Sequence, residues 1–296
     1  MPNTLTRDLS LLFMLAMIWS SSFTVIKVGM DELPPTTFAM MRVAIGALVL
    51  YGWLKFRGLS LPRSPKLWGS FTLIGLFGNA LPFVMINWGE QKIASGLAAI
   101  FIATMPLAAL LLGRFFSDEI FNARRVVGVV TGFAGVVMLI GPQELMHLGE
   151  DALRQMAVAL AAVSYAVAGI LLRKLPTAKP AEHGAGVLIA SSALLIPAAL
   201  LADQPWALSY SADALAAALY LGLFPTALAT ILLIIVVSSR GVTFLSLNNY
   251  LIPVLGVLWG FLFLGEPVTQ EILVALALIL IGIAIAGRGP ATRRDV

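Results

Sequence analysis

The chain has 296 residues, of which 59% are hydrophobic and only 11% charged, with a net charge of +4 and a mean hydropathy of +0.95. Soluble domains carry roughly 25% charged residues, so too few polar side chains remain here to cover a water-facing surface. The absence of cysteine excludes disulfides, thiolate metal sites and cysteine nucleophiles. Basic residues lie scattered through short loops, which favours orientation in a lipid bilayer over a nucleic-acid partner.

Apolar runs of about 20 residues, enough to cross hydrocarbon at ~1.5 Å per residue, recur along the chain. The first covers 9–28. Arg7, the run Leu9–Ile18 and Ser20–Ser22 mimic a signal peptide, but apolar sequence resumes at Phe23, so an uncleaved helix is expected. The second, 36–55, follows Pro34-Pro35 and holds Arg42; the third, 67–87, holds Asn79; the fourth, 95–113, holds Thr104 and Pro106. The fifth, 124–142, carries Gly128-x3-Gly132, the sixth, 154–173, carries Tyr165, and the seventh is 183–202. The eighth, 214–236, holds Thr226, and the ninth, 242–264, holds Asn248, Asn249, Tyr250 and Pro253. The tenth, 269–287, carries Gly282-x3-Ala286. Backbone in lipid must satisfy itself, and barrel-type alternation is missing, so all ten are predicted helices. Lys27 and Arg42 are close enough to span ends to snorkel to the outer interface.

With the N-terminus placed inside, the inner segments hold 15 of the 19 Lys and Arg residues and the outer segments hold Lys27, Lys92 and Arg154. This bias puts both termini in the cytoplasm. Sliding the sequence by 147 positions aligns Gly75-Leu76-Phe77 with Gly222-Leu223-Phe224, Pro106 with Pro253, Phe116 with Phe263, Glu119 with Glu266, and Gly135 with Gly282. The chain therefore reads as two five-helix repeats, 1–145 and 146–296. Five is odd, so the second repeat enters the membrane inverted. The fold class expected is an all-α membrane protein of ten helices in two inverted halves, an architecture that gives alternating access to a midplane site.

These features resemble the drug/metabolite transporter superfamily, in particular its bacterial ten-helix exporter branch. The motifs that carry the resemblance are Trp19–Phe23, Arg42 after Pro34-Pro35, and the paired Pro106…Glu119 and Pro253…Glu266 signatures. Glycine-rich helices with Gly128, Gly132, Gly135 and Gly282 follow them. The resemblance covers essentially the whole chain. It implies a bacterial inner-membrane exporter, closest in pattern to those of aromatic and neutral amino acids. The superfamily's substrates also include quaternary ammonium drugs, nucleotide sugars and phosphorylated sugars.

A mid-helix proline frees the carbonyl four residues earlier, here that of Ile102 or Asn249. Pro106 and Pro253 occupy matching positions, so they read as kinks that shape packing or as gating points beside a cavity. Asn79 and Thr226 also match. Together with Thr104, Asn248 and Asn249 they can supply donors and acceptors to a substrate, or bond between helices. Trp19, Tyr165 and Tyr250 fall near mid-depth, where they either stack on an aromatic substrate or fill space; Trp19 lies beside Ser20 and Ser22. By contrast Trp53, Trp68, Trp88 and Trp206 read as interfacial belt. Glu90, Glu119 and Glu266 sit at span ends, and the latter two read as helix-boundary caps. No carboxylate is central, so a substrate of net charge near zero and transport without an Asp/Glu proton relay are favoured. The glycines of spans five and ten read as packing faces or as the seam of a homodimer.

No cofactor is expected. His147 and His183 are predicted in loops, away from any metal site within the bundle. No Walker A motif or Gly-x-Ser-x-Gly elbow is present. An intramembrane enzyme and a channel are the remote alternatives, and a small-molecule substrate and the bilayer are the expected partners.

Overall fold

The computed structural model describes residues 4–116, 123–140, 150–176 and 179–287. Among these residues there is no strand. The elements are α1 (Thr4–Gly29), α2 (Pro35–Phe56), α3 (Pro65–Gly75), α4 (Leu81–Glu90), α5 (Ser95–Ile102), α6 (Met105–Phe116) and α7 (Ala123–Ile140). They continue as α8 (Glu150–Leu172), α9 (Pro180–Ala202), α10 (Ala212–Leu221), α11 (Ala229–Leu245), α12 (Asn248–Leu264) and α13 (Gln270–Gly287). Among the described residues seven stretches are long and apolar enough to cross a membrane, and Val126–Leu139, Asn248–Leu264 and Gln270–Ala286 are shorter apolar helices.

The surface is as informative as the core. Leu48, Val130, Phe133, Leu201 and Phe263 are between 62% and 84% exposed. Apolar side chains turned outward on so many helices need hydrocarbon around them, since soluble monomers rarely expose large apolar patches. This is a multi-pass membrane protein.

Two predicted spans contain turns of π-helix. Leu76–Ala80 joins α3 to α4, and Gly222–Leu228 joins α10 to α11. The wider turn leaves backbone groups out of the regular ladder, and such turns are frequent at functional sites. Leu76 and Leu223 are 147 positions apart, so the two irregularities fall at matching places in the sequence repeat. Span four is broken outright. α5 ends at Ile102, α6 starts at Met105, and Pro106 is the second residue of α6, where its missing N–H costs little. The expected mid-helix kink at Pro106 is thus a two-residue gap at Ala103 and Thr104, with the Thr104 hydroxyl donating to the Phe101 carbonyl at 2.6 Å. Span nine begins later than expected. Gly241, at φ 80° and ψ 175°, bends the chain, and α12 proper starts only at Asn248; Pro253 lies inside that helix.

α2 packs along α9 and against the second π turn, α8 against α4 and α6, and α1 against α12, α10 and α11. α7 and α13 pack mainly on each other at the side of this bundle. A Cβ on Gly128 would come within 2.7 Å of Ala286 N and Gly282 O, and one on Gly282 within 2.6 Å of Gly128 O and Gly132 N. The small-residue faces of spans five and ten are therefore used inside one chain. A dimer through these helices would have to use their outer faces, where Val127, Val130, Phe133, Val274 and Ile281 are exposed.

Two carboxylates tie the ends of helices together across the chain. Asp203, just after α9, accepts from Thr37 N at 2.7 Å and Thr37 Oγ1 at 2.9 Å in the first turn of α2. Glu266, just after α12, accepts from Ser95 N at 2.6 Å, Gly96 N at 3.0 Å and Ser95 Oγ at 3.1 Å at the start of α5. Each satisfies orphan N–H groups and faces the positive end of a helix dipole. Glu266 thus has the capping role expected from its position; Glu119 lies outside the described residues.

Candidate substrate site

The densest polar contacts converge on the second π turn. Trp19 of α1 donates through Nε1 to the Pro225 carbonyl at 3.2 Å. One residue on, Thr226 Oγ1 donates to the Leu221 carbonyl at 2.8 Å and accepts from Arg42 Nε at 2.9 Å. The Arg42 guanidinium lies 3.8 Å above the centre of the Phe83 ring of α4. The Tyr165 side chain, from α8, is within electrostatic reach of Arg42. Four helices and a π turn therefore meet at one buried, polar point.

Here the expectation of an outer-interface arginine is overturned. Arg42 is only 5% exposed. It sits seven residues into α2, about 10 Å at 1.5 Å per residue, and its side chain is held on Thr226 rather than extended towards water. Lys27 does not snorkel either: its Nζ donates to the Glu90 carbonyl at 2.6 Å and the Ile93 carbonyl at 3.1 Å, capping the end of α4. Glu90 is fully buried, and neither carboxyl oxygen has a hydrogen-bond partner among the described residues. The interior is thus more charged than span ends alone suggested.

The remaining predicted residues divide. Asn79, on the first π turn, donates from Nδ2 to Ser191 Oγ of α9 at 3.0 Å, and Ser191 in turn bonds the Val187 carbonyl. Ser20 and Ser22 bond back to the Met17 and Trp19 carbonyls of their own helix, and Ser20 Oγ also accepts from Trp259 Nε1 at 2.9 Å. Their hydroxyls hold α1 together and attach α12 to it. Asn248 sits in the first turn of α12, 2% exposed, with no partner for either amide atom among the described residues. Asn249 and Tyr250 are half-buried beside it, and Tyr250 packs on the main apolar core. The structure brings Thr226 and Tyr165 to Arg42, and Trp19 reaches the same π turn at Pro225; Asn79 bonds Ser191, Thr104 bonds back to Phe101, and Asn248 is buried with no partner among the described residues. His183 is a further correction: it lies in the first turn of α9, 7% exposed, with its ring 5.5 Å from that of Phe71. His147 lies outside the described residues.

The model of the EamA-like transporter family matches this chain twice, over residues 7–141 and 154–288. The chain belongs to the EamA-like transporter family. The two matches start 147 residues apart, the offset at which the sequence aligns with itself. The EamA-like chain is 27% identical over 281 residues to the uncharacterized inner membrane transporter YedA of Escherichia coli (strain K12), covering 94% of this chain and 90% of the relative. It is 25% identical over 292 residues to a probable terminal-alkyne amino-acid exporter of Streptantibioticus cattleyicolor, covering 98% and 96% of the two chains. A solved crystal structure, 23% identical, shares the fold with a TM-score of 0.66 over 95% of this chain and 97% of its own. The family is one of membrane transporters, which agrees with the superfamily resemblance of the motifs.

One residue of this cluster, Phe83, carries no signal in the sequence, and neither does the pairing of Arg42 with Thr226. Arg42 was visible as an intramembrane charge, but its partner Thr226 is 184 positions away and nothing local points to it. Phe83 is one of 16 phenylalanines, and only the packing of α4 on α2 sets it under a guanidinium.

Proposed function

We propose that this EamA-like protein is a ten-helix secondary transporter of the bacterial inner membrane that exports aromatic and other neutral amino acids by alternating access. In this reading residues 1–145 and 146–296 are inverted five-helix halves, both termini are cytoplasmic, and the three shorter apolar helices also cross the bilayer. The observation that carries it is the pair of π turns at matching positions, one holding Asn79 and the other Thr226. Irregular backbone at membrane depth is tolerated where it lines a cavity or is buried in protein, and matching irregularities in two repeats mark the space between them.

The chemistry around Arg42 supports an amino acid over the superfamily's other substrates. Trp19, Phe83 and Tyr165 supply aromatic surface, and a buried cation disfavours quaternary ammonium drugs. A phosphorylated sugar, with two negative charges or more, calls for several fixed cations. The name of the Streptantibioticus relative points to the same substrate class.

Counterflow of labelled substrate in proteoliposomes tests this. A panel of neutral, aromatic, cationic and phosphorylated metabolites, with and without a pH gradient, should show saturable trans-acceleration for neutral and aromatic amino acids. Flux without trans-acceleration would indicate a channel, and chemically altered substrate an enzyme. Cells overexpressing the protein should tolerate toxic amino-acid analogues better; heightened sensitivity would reverse the direction.

A further inference from the structure

We propose that Arg42 is the carboxylate receptor of the transport site, presenting the two-nitrogen edge of its guanidinium to the substrate. The proposal rests on the transporter reading and names the group by which the substrate is recognised.

The guanidinium is fixed on one edge and one face. The Thr226 hydroxyl spends its proton on the Leu221 carbonyl, so towards Arg42 it acts only as an acceptor and holds Nε. The Phe83 ring at 3.8 Å covers one face. What is left is the terminal fork. Neither Nη atom has an acceptor among the described residues, although Arg42 is 5% exposed. Glu90 is within electrostatic range of Arg42, yet both of its carboxyl oxygens are without a hydrogen-bond partner among the described residues, so it does not fill the fork.

In the same chain Arg154 spends Nη1 on the Trp88 carbonyl and Gln91 Oε1. Lys27 spends its ammonium on two carbonyls at the end of α4. The terminal nitrogens of Arg42 keep some contact with open space, so the fork can be reached by a ligand and is not sealed inside the protein. A planar fork with parallel N–H bonds matches the two oxygens of a carboxylate, and one cation balances one carboxylate. For a zwitterionic amino acid this fixes the α-carboxylate beside the second π turn, with the side chain free to meet Trp19 and Tyr165.

The test uses matched pairs that differ only in the carboxylate: phenylalanine with phenethylamine, leucine with isopentylamine, tryptophan with tryptamine. Inhibition of labelled phenylalanine counterflow and direct titration of tryptophan fluorescence in the purified protein are both read. The wild type should prefer each acid over its amine by about tenfold or more, as expected of one charge-assisted bidentate contact. Arg42→Gln should bring that ratio to near one, Arg42→Lys should keep part of it, and Thr226→Val, which frees the guanidinium to turn, should lower it less than Arg42→Gln. A wild type that treats acids and amines alike overturns the proposal. So does an unchanged ratio in Arg42→Gln, or in Thr226→Val should the arginine variants fail to fold. Acid-selective binding without counterflow would sustain the receptor while removing the transporter reading beneath it.

Discussion

Glu266 joins the end of α12 to the start of α5, and its removal gives a quantitative test of how the two halves close on each other. The carboxylate accepts two backbone N–H groups and one hydroxyl, at 2.6, 3.0 and 3.1 Å. Around it the helices are in close contact: a Cβ on Gly96 would stand 3.0 Å from Val257 Cα, and one on Gly256 2.4 Å from Ala99 Cβ. Glu266→Gln keeps the shape but turns an NH2 group towards one of the two N–H donors. Charge-assisted bonds of ~1.5–3 kcal/mol fall to ~0.5–1.5 kcal/mol, and one donor is left unpaired. Loss of the carboxylate at a helix N-terminus adds ~0.3–1 kcal/mol. Because Glu266 is only half-buried, about 2 kcal/mol is a fair net figure, which changes the ratio of closed to open forms about 30-fold. The protein has no cysteine, so a single Val257→Cys reports on the seam without background. A membrane-impermeant maleimide applied from the outer side should label that cysteine about ten to thirty times faster in Glu266→Gln, with Glu266→Asp in between. Labelling within about twofold of the parent, in a protein of unchanged melting temperature, would show that the carboxylate does not hold this end shut.

Three further outcomes are expected. Gly282→Ala drives a methyl group into the backbone of α7 and should cost about 1–3 kcal/mol in detergent melts, whereas Gly169→Ala meets open space and should gain up to about 1 kcal/mol; equal shifts would remove the close-packing argument. Asn248→Ala discards two buried, unpartnered amide atoms, so the melting temperature should hold or rise while transport falls about tenfold; a marked loss of stability with normal transport would make the amide structural. Single cysteines at Thr6→Cys and Thr292→Cys should both react from the cytoplasmic face alone, and reaction from opposite faces would rule out inverted five-helix halves.

The local level of the fold is legible in the sequence because partition into lipid is nearly additive along a helix. Runs such as 9–28 and 36–55 coincide with α1 and α2 to within a turn or so, and proline and glycine mark where helices start or bend. The 147-residue repeat is likewise a property of the chain, and the double family match has the same period. Glycine spacing announces close helix contact. It does not say with whom, and the structure answers that α7 and α13 contact each other.

Charge was the harder matter. A long side chain near a span end has two ways to avoid unsolvated burial: reach for the interface, or find partners inside. From sequence the first is available to Lys27 and Arg42 alike. The structure chooses the second for both, through carbonyls at Glu90 and Ile93, and through Thr226 and Phe83. What the sequence determined by itself is the solvent: a chain this apolar belongs in lipid, in helices, in two related halves. Which polar groups share the interior was decided only by tertiary packing, because Trp19 and Pro225, Arg42 and Thr226, and Ser95 and Glu266 stand 206, 184 and 171 positions apart. A hydrogen bond acts over about 3 Å, and no local pattern encodes a meeting at that range between residues so far apart in the chain.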